Sequence, residues 1–417
     1  MTLLFLSAYF HPEVTSSSYL SDNRNQAFAD RGYGMVVYTP MPTRGISEEL
    51  RNEYKSRKTE TMYDGKMVVH RFNLMREGRN PITRALRYAI SCIKQLYFGI
   101  FGKDARKCDV MFISSTPPIQ GAMAAIVKKV RGIPMIYNLQ DIFPDSLVGT
   151  GMTKRGSILW KIGRVIENFT YRNADKIIVI SEDFKQNIIE KGVPEDKIEV
   201  IYNWVDENAV VPIPKDKNDL FDELNISRDK FNVVYAGNFG HAQNIDIILK
   251  AAEKLKNNTE ICFELFGTGG LKDHFINKAK ELSLENIHFH PLQPYNRVSN
   301  VYSLADVGIV SCKKGIGKGA MPSKTWSILS AGTAVVANYD KGTDIENILK
   351  TNDIGLFSDA NDIDAFVNAI LKLYNDRELC KDMGVRGREF IINNLTKDIG
   401  TSKIINIVEQ IKANIIR

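Results

Sequence analysis

Residues Gly315 to Val336 read GIGKGAMPSKTWSILSAGTAVV. Glycines at 315, 317 and 319 mark a flexible loop that ends at Met321. Pro322 suits the first turn of a helix, where its missing N–H would be unpaired in any case. The helix is expected to run to about Ala331, and Gly332 stands where helices commonly end. Ala334, Val335 and Val336 follow as a short buried strand. A strand is expected ahead of the loop, from Asp306 to Ser311, so the unit is strand, loop, helix, strand. A helix that opens at the carboxyl end of a parallel strand suits an anion. Lys324 adds a full positive charge in the first turn. The stretch fits a nucleotide diphosphate. It fits an ordinary βαβ unit equally well, because such units also occur where no phosphate binds.

The same alternation extends in both directions. Ahead of residue 207, strands are expected at 3–8, 35–39, 67–72, 109–115, 133–139, 176–181 and 198–201, with helices between most of them. Met41 to Lys58 is polar and aperiodic and reads as a mobile surface loop. Residues 207–230 carry Pro212, Pro214 and alternating Lys and Asp, the composition of a linker. Alternation restarts at 232–237, 261–267, 287–290 and 306–311, and residues beyond 343 read as helices. The fold class is therefore α/β, with two Rossmann-like domains at 1–206 and 231–396. Strand–helix alternation implies parallel sheets with right-handed crossovers. A ligand is expected in a central cleft between the domains, at the carboxyl ends of the strands.

Composition narrows the class. With 44% apolar and 25% charged residues, the chain reads as a soluble globular protein. It holds no run of 18 apolar residues, so no transmembrane helix is expected. The apolar N-terminus lacks a basic region and stops at His11-Pro12-Glu13, which fits a buried strand better than a signal peptide. Five scattered cysteines argue for reduced thiols in the cytoplasm and against disulfides or a zinc site. The net charge of +6 is uneven, since residues 51–107 hold 14 Lys and Arg against five Asp and Glu. A helix from Asn80-Pro81 to about Phe101 carries Arg84, Arg87 and Lys94 among helically spaced apolar residues. The region 81–107 thus suits peripheral contact with an anionic membrane; a packed helix with solvated charges is the competing reading. Basic residues do not line a groove-reading motif, so no nucleic-acid partner is expected.

Four loops at carboxyl strand ends bear on chemistry. They are Gly237 to Asn244, Phe266 to Gly270, His290 to Pro294 and the opening stretch. Glycine lets backbone approach a ligand closely, and convergence of four such loops is more specific than any one. In the first half, Gln140-Asp141-Ile142-Phe143-Pro144-Asp145 ends a strand in the same way. Asp141 is the candidate for orienting an acceptor or sugar, with a turn or cap aspartate as the alternative.

These segments resemble the family 4 retaining glycosyltransferases with the GT-B fold. Tyr235 to Gly240, Leu265 to Gly269, Ala305 to Val310 and Met321 to Gly332 carry the likeness in the second half. Tyr9 to Glu13, Ser114 to Pro118 and Gln140 to Ser146 carry it in the first. The combination looks most like the bacterial branch that builds O-antigen, capsule and exopolysaccharide. The resemblance implies a retaining transfer from a nucleotide sugar, UDP-linked, with hexoses and N-acetylated amino or deoxyamino sugars as the donor classes. The implied acceptor is undecaprenyl-diphosphate-linked or a glycan, at the inner face of the cell membrane, with no metal and no cofactor. A sugar-nucleotide 2-epimerase of the same fold and a non-catalytic nucleotide-sugar-binding partner are the alternatives.

The resemblance implies donor contacts at Gly237, Asn238, Phe239, Gly240, Gln243, Phe266, Gly267, Leu292, Met321, Pro322, Ser323, Ser327 and Glu346. Lys324 and Asp141 are the catalytic candidates, and His11, Glu13, Ser16 and Ser17 the acceptor candidates, with ordering of their own loop as the favoured alternative for His11 and Glu13. Thr343-x-x-Glu346 also reads as a capping box. The C-terminal helix from Lys397 is expected to pack back on the first domain. Two departures stand out: the family's paired glutamates fall at Gly319 and Ser327, and its basic pair in the first loop at Asn238 and Gln243. Lys324 is left as the main charge for a diphosphate.

Overall fold

The computed structural model describes residues 1–13, 18–76, 80–149 and 151–416. The chain divides into two compact units, Met1–Tyr202 with Gly400–Arg417, and Asn203–Ile399.

The first unit begins β1 (Thr2–Leu6), α1 (Ser18–Asp30), β2 (Gly34–Pro40), α2 (Glu48–Tyr54), β3 (Thr59–Met62) and β4 (Met67–Phe72). It continues α3 (Pro81–Phe101), β5 (Val110–Ser114), α4 (Ile119–Arg131), β6 (Met135–Leu139) and α5 (Asp145–Gly149). Then come α6 (Ile158–Asn173), β7 (Lys176–Val179), α7 (Glu182–Glu190) and β8 (Ile198–Val200). The sheet order is β3-β4-β2-β1-β5-β6-β7-β8. Every pairing is parallel except β3 with β4. The central strands are buried on both faces, which is why they read as continuous apolar runs: Leu3, Leu4, Val110, Met111 and Ile113 are all fully buried.

The second unit holds α8 (Leu220–Glu223), β9 (Phe231–Asn238), α9 (Ile245–Lys254), β10 (Ile261–Thr268) and α10 (Lys272–Glu281). Next are β11 (Ile287–His290), α11 (Val298–Ser303), β12 (Val307–Ser311), α12 (Lys324–Ser330) and β13 (Ala334–Tyr339). It ends with α13 (Asp344–Thr351), β14 (Gly355–Asp359), α14 (Ile363–Asn375), α15 (Arg377–Asn394) and the start of α16 (Lys397–Ile416). The order is β11-β10-β9-β12-β13-β14, all parallel. Order reverses beside β9 and β12, the switch point where open α/β sheets gather ligands.

Several expectations are corrected. Met41 to Lys58 is not a structureless loop: α2 forms there, capped by Ser47, whose hydroxyl accepts the Leu50 N–H. Residues 207–230 are packed rather than free, with Leu220 and Phe221 fully buried against Val234, Phe266 and Leu304. The helix of the opening stretch starts at Lys324, two residues later than expected, and has only seven residues. Arg87, expected among exposed membrane-facing charges, is buried; its guanidinium donates to the Met75 carbonyl and to Thr43 Oγ1. In α16, Glu409 accepts from the Tyr33 hydroxyl beyond α1.

Candidate active site

The site is built at the carboxyl edge of the second sheet, where β9, β10, β12 and β13 end. β9 and β10 stay paired through Gly237 with Gly267 and Asn238 with Thr268. The crossing is so close that a Cβ on Gly267 would lie 2.0 Å from the Gly237 carbonyl oxygen. A Cβ on Gly269 would lie 2.5 Å from Asn238 Oδ1. Only glycine fits at these two positions. The edge is therefore lined by backbone, with Lys272 Nζ fastening it by donating to the Gly267 and His290 carbonyls, each at 2.9 Å.

Lys324 rises into this edge from the first residue of α12. Its Nζ sits 4.1 Å above the centroid of Tyr235 and 2.7 Å from where a Gly237 Cβ would stand. Gly237, at φ +154°, supplies that space. The Tyr235 hydroxyl donates to the Asn238 carbonyl at 2.9 Å, which holds the ring beneath the amine. Among the described residues no carboxylate reaches ion-pair distance of Nζ. Burial alone pushes the amine down to about 8. A half-buried, partly desolvated cation without a counter-ion is poised to gain from an incoming anion.

The loop ahead of α12 is anchored, not flexible. Asp340, just past β13, accepts the N–H of Gly315 and of Gly317, each at 2.8 Å. The Tyr339 hydroxyl donates to the Ala320 carbonyl at 2.9 Å. The Lys313 N–H reaches the Ala242 carbonyl at 3.0 Å, joining this loop to the one after β9. There Gln243 Oε1 is buried with no hydrogen-bond partner, and Asn238 is exposed. Gly240 is backed by Asn238 and Gln243, since a Cβ would stand 2.6 Å from Asn238 Nδ2 and 3.0 Å from Gln243 Oε1.

Met321, Pro322 and Ser327 are half-buried and Ser323 is exposed. Ser323 makes no side-chain cap. Leu292 projects into solvent after β11. Phe239 and Phe266 are corrected: both are fully buried, so neither ring is available to a ligand. Phe239 packs on Phe275 and Phe289, and Phe266 stacks on His290. Behind them Glu264 accepts from His288 and His290 at 2.9 and 2.6 Å. Glu346 does not close the expected capping box. It accepts the Gly342 N–H and pairs with Lys350 at 2.5 Å. Burial pushes that carboxyl up, but Lys350 and the Gly342 N–H outweigh it and hold it below the usual range.

In the first unit, Asp141 follows β6 and is exposed. The surrounding protein pushes its carboxyl up, against hydrogen bonds from Ser146 and the Ile142 backbone. Glu13 orders its own loop, the alternative to acceptor contact. It is buried and accepts the N–H groups of Thr43 and Arg44 at 2.7 and 2.8 Å. His11 is exposed, and its carbonyl accepts from Arg71. Ser16 and Ser17 lie outside the described residues.

The family "Glycosyltransferase Family 4" matches residues 25–209, and "Glycosyl transferases group 1" matches residues 216–390. Between them they span both sheets. The chain is a family 4 glycosyltransferase. Two bacterial proteins named as candidate glycosyltransferases are similar to it. WbjE of Pseudomonas aeruginosa is 27% identical over 62% of this chain and 64% of its own length. WcaI of Escherichia coli (strain K12), whose name assigns it to colanic acid biosynthesis, is 24% identical over 84% of this chain and 86% of its own. An Escherichia coli UDP-Gal:α-D-GlcNAc-diphosphoundecaprenol α-1,3-galactosyltransferase is 25% identical over 68% and 71%. The solved structure of Anabaena HepE in complex with UDP superposes with a TM-score of 0.72 at 16% identity, covering 98% of this chain and all of that one. The glycosyltransferase thus has the GT-B fold.

Tyr235, Asp340 and Lys272 of this glycosyltransferase were not singled out by sequence reasoning. Tyr235 sits in a strand of buried apolar residues and looks like core. Asp340 is a lone carboxylate whose partners lie 23 and 25 positions earlier. Its place just past a buried strand was the one available signal.

Proposed function

We propose that this glycosyltransferase moves a sugar from a UDP-linked donor, with retention, onto an undecaprenyl-diphosphate-linked or glycan acceptor. The pathway is bacterial surface polysaccharide synthesis, and the enzyme works at the cytoplasmic face of the membrane. Lys324 carries the reading: a desolvated ammonium without a counter-ion, fixed between the Tyr235 ring and the Gly237 backbone. The donor diphosphate is its counter-ion. Removing one preorganised donor aimed at charge that develops in a transition state costs about 3 to 4 kcal/mol, and Lys324 takes that part toward the leaving diphosphate in this reading. The exposed Asn238 amide can donate to the diphosphate, whereas Gln243 Oε1 can only accept, as from a hydroxyl of the donor. The relatives' names, with UDP in the HepE structure and a diphosphoundecaprenol acceptor in the galactosyltransferase, support the substrate classes.

Asp141 orients the acceptor in this reading. No protein nucleophile is required: the acceptor oxygen attacks the anomeric carbon on the face the diphosphate leaves, and the departing phosphate oxygen takes the acceptor proton. Assaying transfer across UDP-, GDP- and dTDP-sugars with a short-chain prenyl-diphosphate sugar acceptor tests the proposal. Turnover with a UDP-sugar is expected. UDP binding without transfer from any donor would overturn the catalytic reading.

A further inference from the structure

Helices α3, α4 and α6 pack side by side, α4 in the middle. The contacts are close. A Cβ on Gly99 of α3 would stand 2.9 Å from Val127 of α4, and one on Gly121 of α4 would stand 2.4 Å from Thr170 of α6.

Two of these helices carry large apolar residues on their outer sides and buried polar ones among their inner residues. The inward side of α3 carries Arg87, Ser91 and Gln95, all buried, and Gln95 donates to the Ser7 carbonyl. Its outward side carries Leu86, Ile93, Tyr97 and Phe101, at helical spacing and all exposed, Ile93 by 66%. In α6 the buried residues are Gly163, Glu167, Thr170 and Tyr171, with Glu167 held by Arg164 and Lys191. The outward residues there are Ile158, Ile162 and Val165, with Ile158 79% exposed. α4 adds Ile119, Ile126 and Val130 between them. A helix side that faces water is ordinarily polar, and exposed apolar residues spread over three packed helices mark a partner.

Charge selects that partner. Residues 81–173 contain 14 Lys and Arg against five Asp and Glu, while the rest of the chain has 41 against 44. The whole basic excess of the protein lies in the segment that builds this face. Lys129 and Lys161 are exposed within it, Lys129 Nζ lying 5.0 Å above the Phe169 ring. Basic side chains around an apolar helix face match anionic headgroups above an acyl boundary. A second copy of the chain would set two basic rims against each other.

We propose that α3, α4 and α6 form one platform that docks on an anionic lipid bilayer, isoleucines in the acyl boundary and lysines at the headgroups. This extends the membrane contact from one helix to three and rests on the reading of a lipid-linked acceptor. α4 and α6 both begin at the carboxyl edge of the first sheet, the edge from which the Asp141 loop emerges, so a lipid-borne acceptor meets that loop without leaving the bilayer.

The test is flotation of the whole protein with vesicles of phosphatidylcholine alone, or of phosphatidylcholine and phosphatidylglycerol in equal parts. The wild type floats with the anionic vesicles and is released by high salt. Ile93→Ser, Ile126→Ser and Ile162→Ser each weaken binding about tenfold, and the triple variant does not float. Val385→Ser, an exposed apolar site in α15 of the second unit, leaves flotation unchanged. Circular dichroism and thermal melting establish that the triple variant is folded. Absence of wild-type flotation, or a folded triple variant that floats like wild type, overturns the platform. So does light scattering that shows a dimer which the triple variant dissolves, because the face then belongs to a second copy. Transfer to a water-soluble acceptor is measured in parallel. Lost flotation with transfer intact sinks the platform alone, whereas flotation without transfer from any sugar nucleotide sinks the enzymatic reading and leaves the platform standing.

Discussion

Replacing Lys324 by Met should make the ligand-free protein more stable while destroying donor binding. Burial holds the amine at about 8 instead of 10.5, with no carboxylate to compensate. Each unit of such a shift is worth about 1.4 kcal/mol. Partial exposure of the side chain argues for taking less than the full shift, so carrying the charge costs the fold about 2 to 3 kcal/mol at pH 7. Methionine fits along the Tyr235 face without that cost. A gain of this size raises the melting temperature by about 4 to 10 °C for a unit of this length. The sign with pH follows from proton binding. Between about 8 and 10.5 the unfolded chain holds the Lys324 proton and the folded chain does not, so wild-type stability contributed by this group rises with pH across that window. The variant lacks this rise. UDP binding reverses the penalty, because the diphosphate draws the proton back onto Nζ. Wild-type affinity therefore falls as pH rises above about 8, and transfer by the variant drops about a hundredfold or more. Differential scanning calorimetry with and without UDP, run from pH 7 to pH 9.5 on both proteins, reads all of this. A variant that melts lower than wild type without ligand, or is stabilised equally by UDP, would refute the reasoning.

Gly237→Ala should lower donor affinity at least about tenfold, because its Cβ would stand 2.7 Å from Lys324 Nζ at a φ of +154° that costs alanine about 1 to 3 kcal/mol; calorimetric titration with UDP measures it. Asp340→Ala should leave the Gly315 and Gly317 amides without their charged acceptor, at a cost of about 1 to 3 kcal/mol. Hydrogen exchange is expected to show those amides deprotected, with a raised KM for the donor. Asp141→Asn should lower kcat for transfer while leaving UDP affinity unchanged, and a parallel loss of UDP affinity would remove Asp141 from the acceptor role.

Much of the architecture was legible because parallel strands covered on both faces are written as apolar runs, as in Leu3 to Leu6 and Val110 to Ile113. The strands that escaped lie at sheet edges. β3 reads Thr-Glu-Thr-Met and alternates in exposure, and β14 reads Gly-Leu-Phe-Ser-Asp. Half-solvated strands carry too little apolar signal in so few residues. The site divides in the same way. Lys324 and the glycine loops can be picked out locally. That Lys324 has no carboxylate beside it, and that Tyr235 lies beneath it, are facts of tertiary packing. Phe239 and Phe266 show the converse error. The resemblance implies donor contact at both because they border glycine loops, but each is fully buried where β9 and β10 pair.

Asp340 carries a consequence for inhibitor chemistry. Its carboxylate already fills the amide cradle of Gly315 and Gly317, the position a free phosphate oxygen would otherwise compete for. The loop is self-liganded, and a diphosphate mimic meets Lys324 as the cation that no carboxylate reaches among the described residues. A scaffold carrying a single negative charge, set to meet Lys324 and kept clear of Asp340, should capture most of the electrostatic gain that a dianionic or trianionic mimic could offer. The desolvation cost of the additional charges would bring no matching contact.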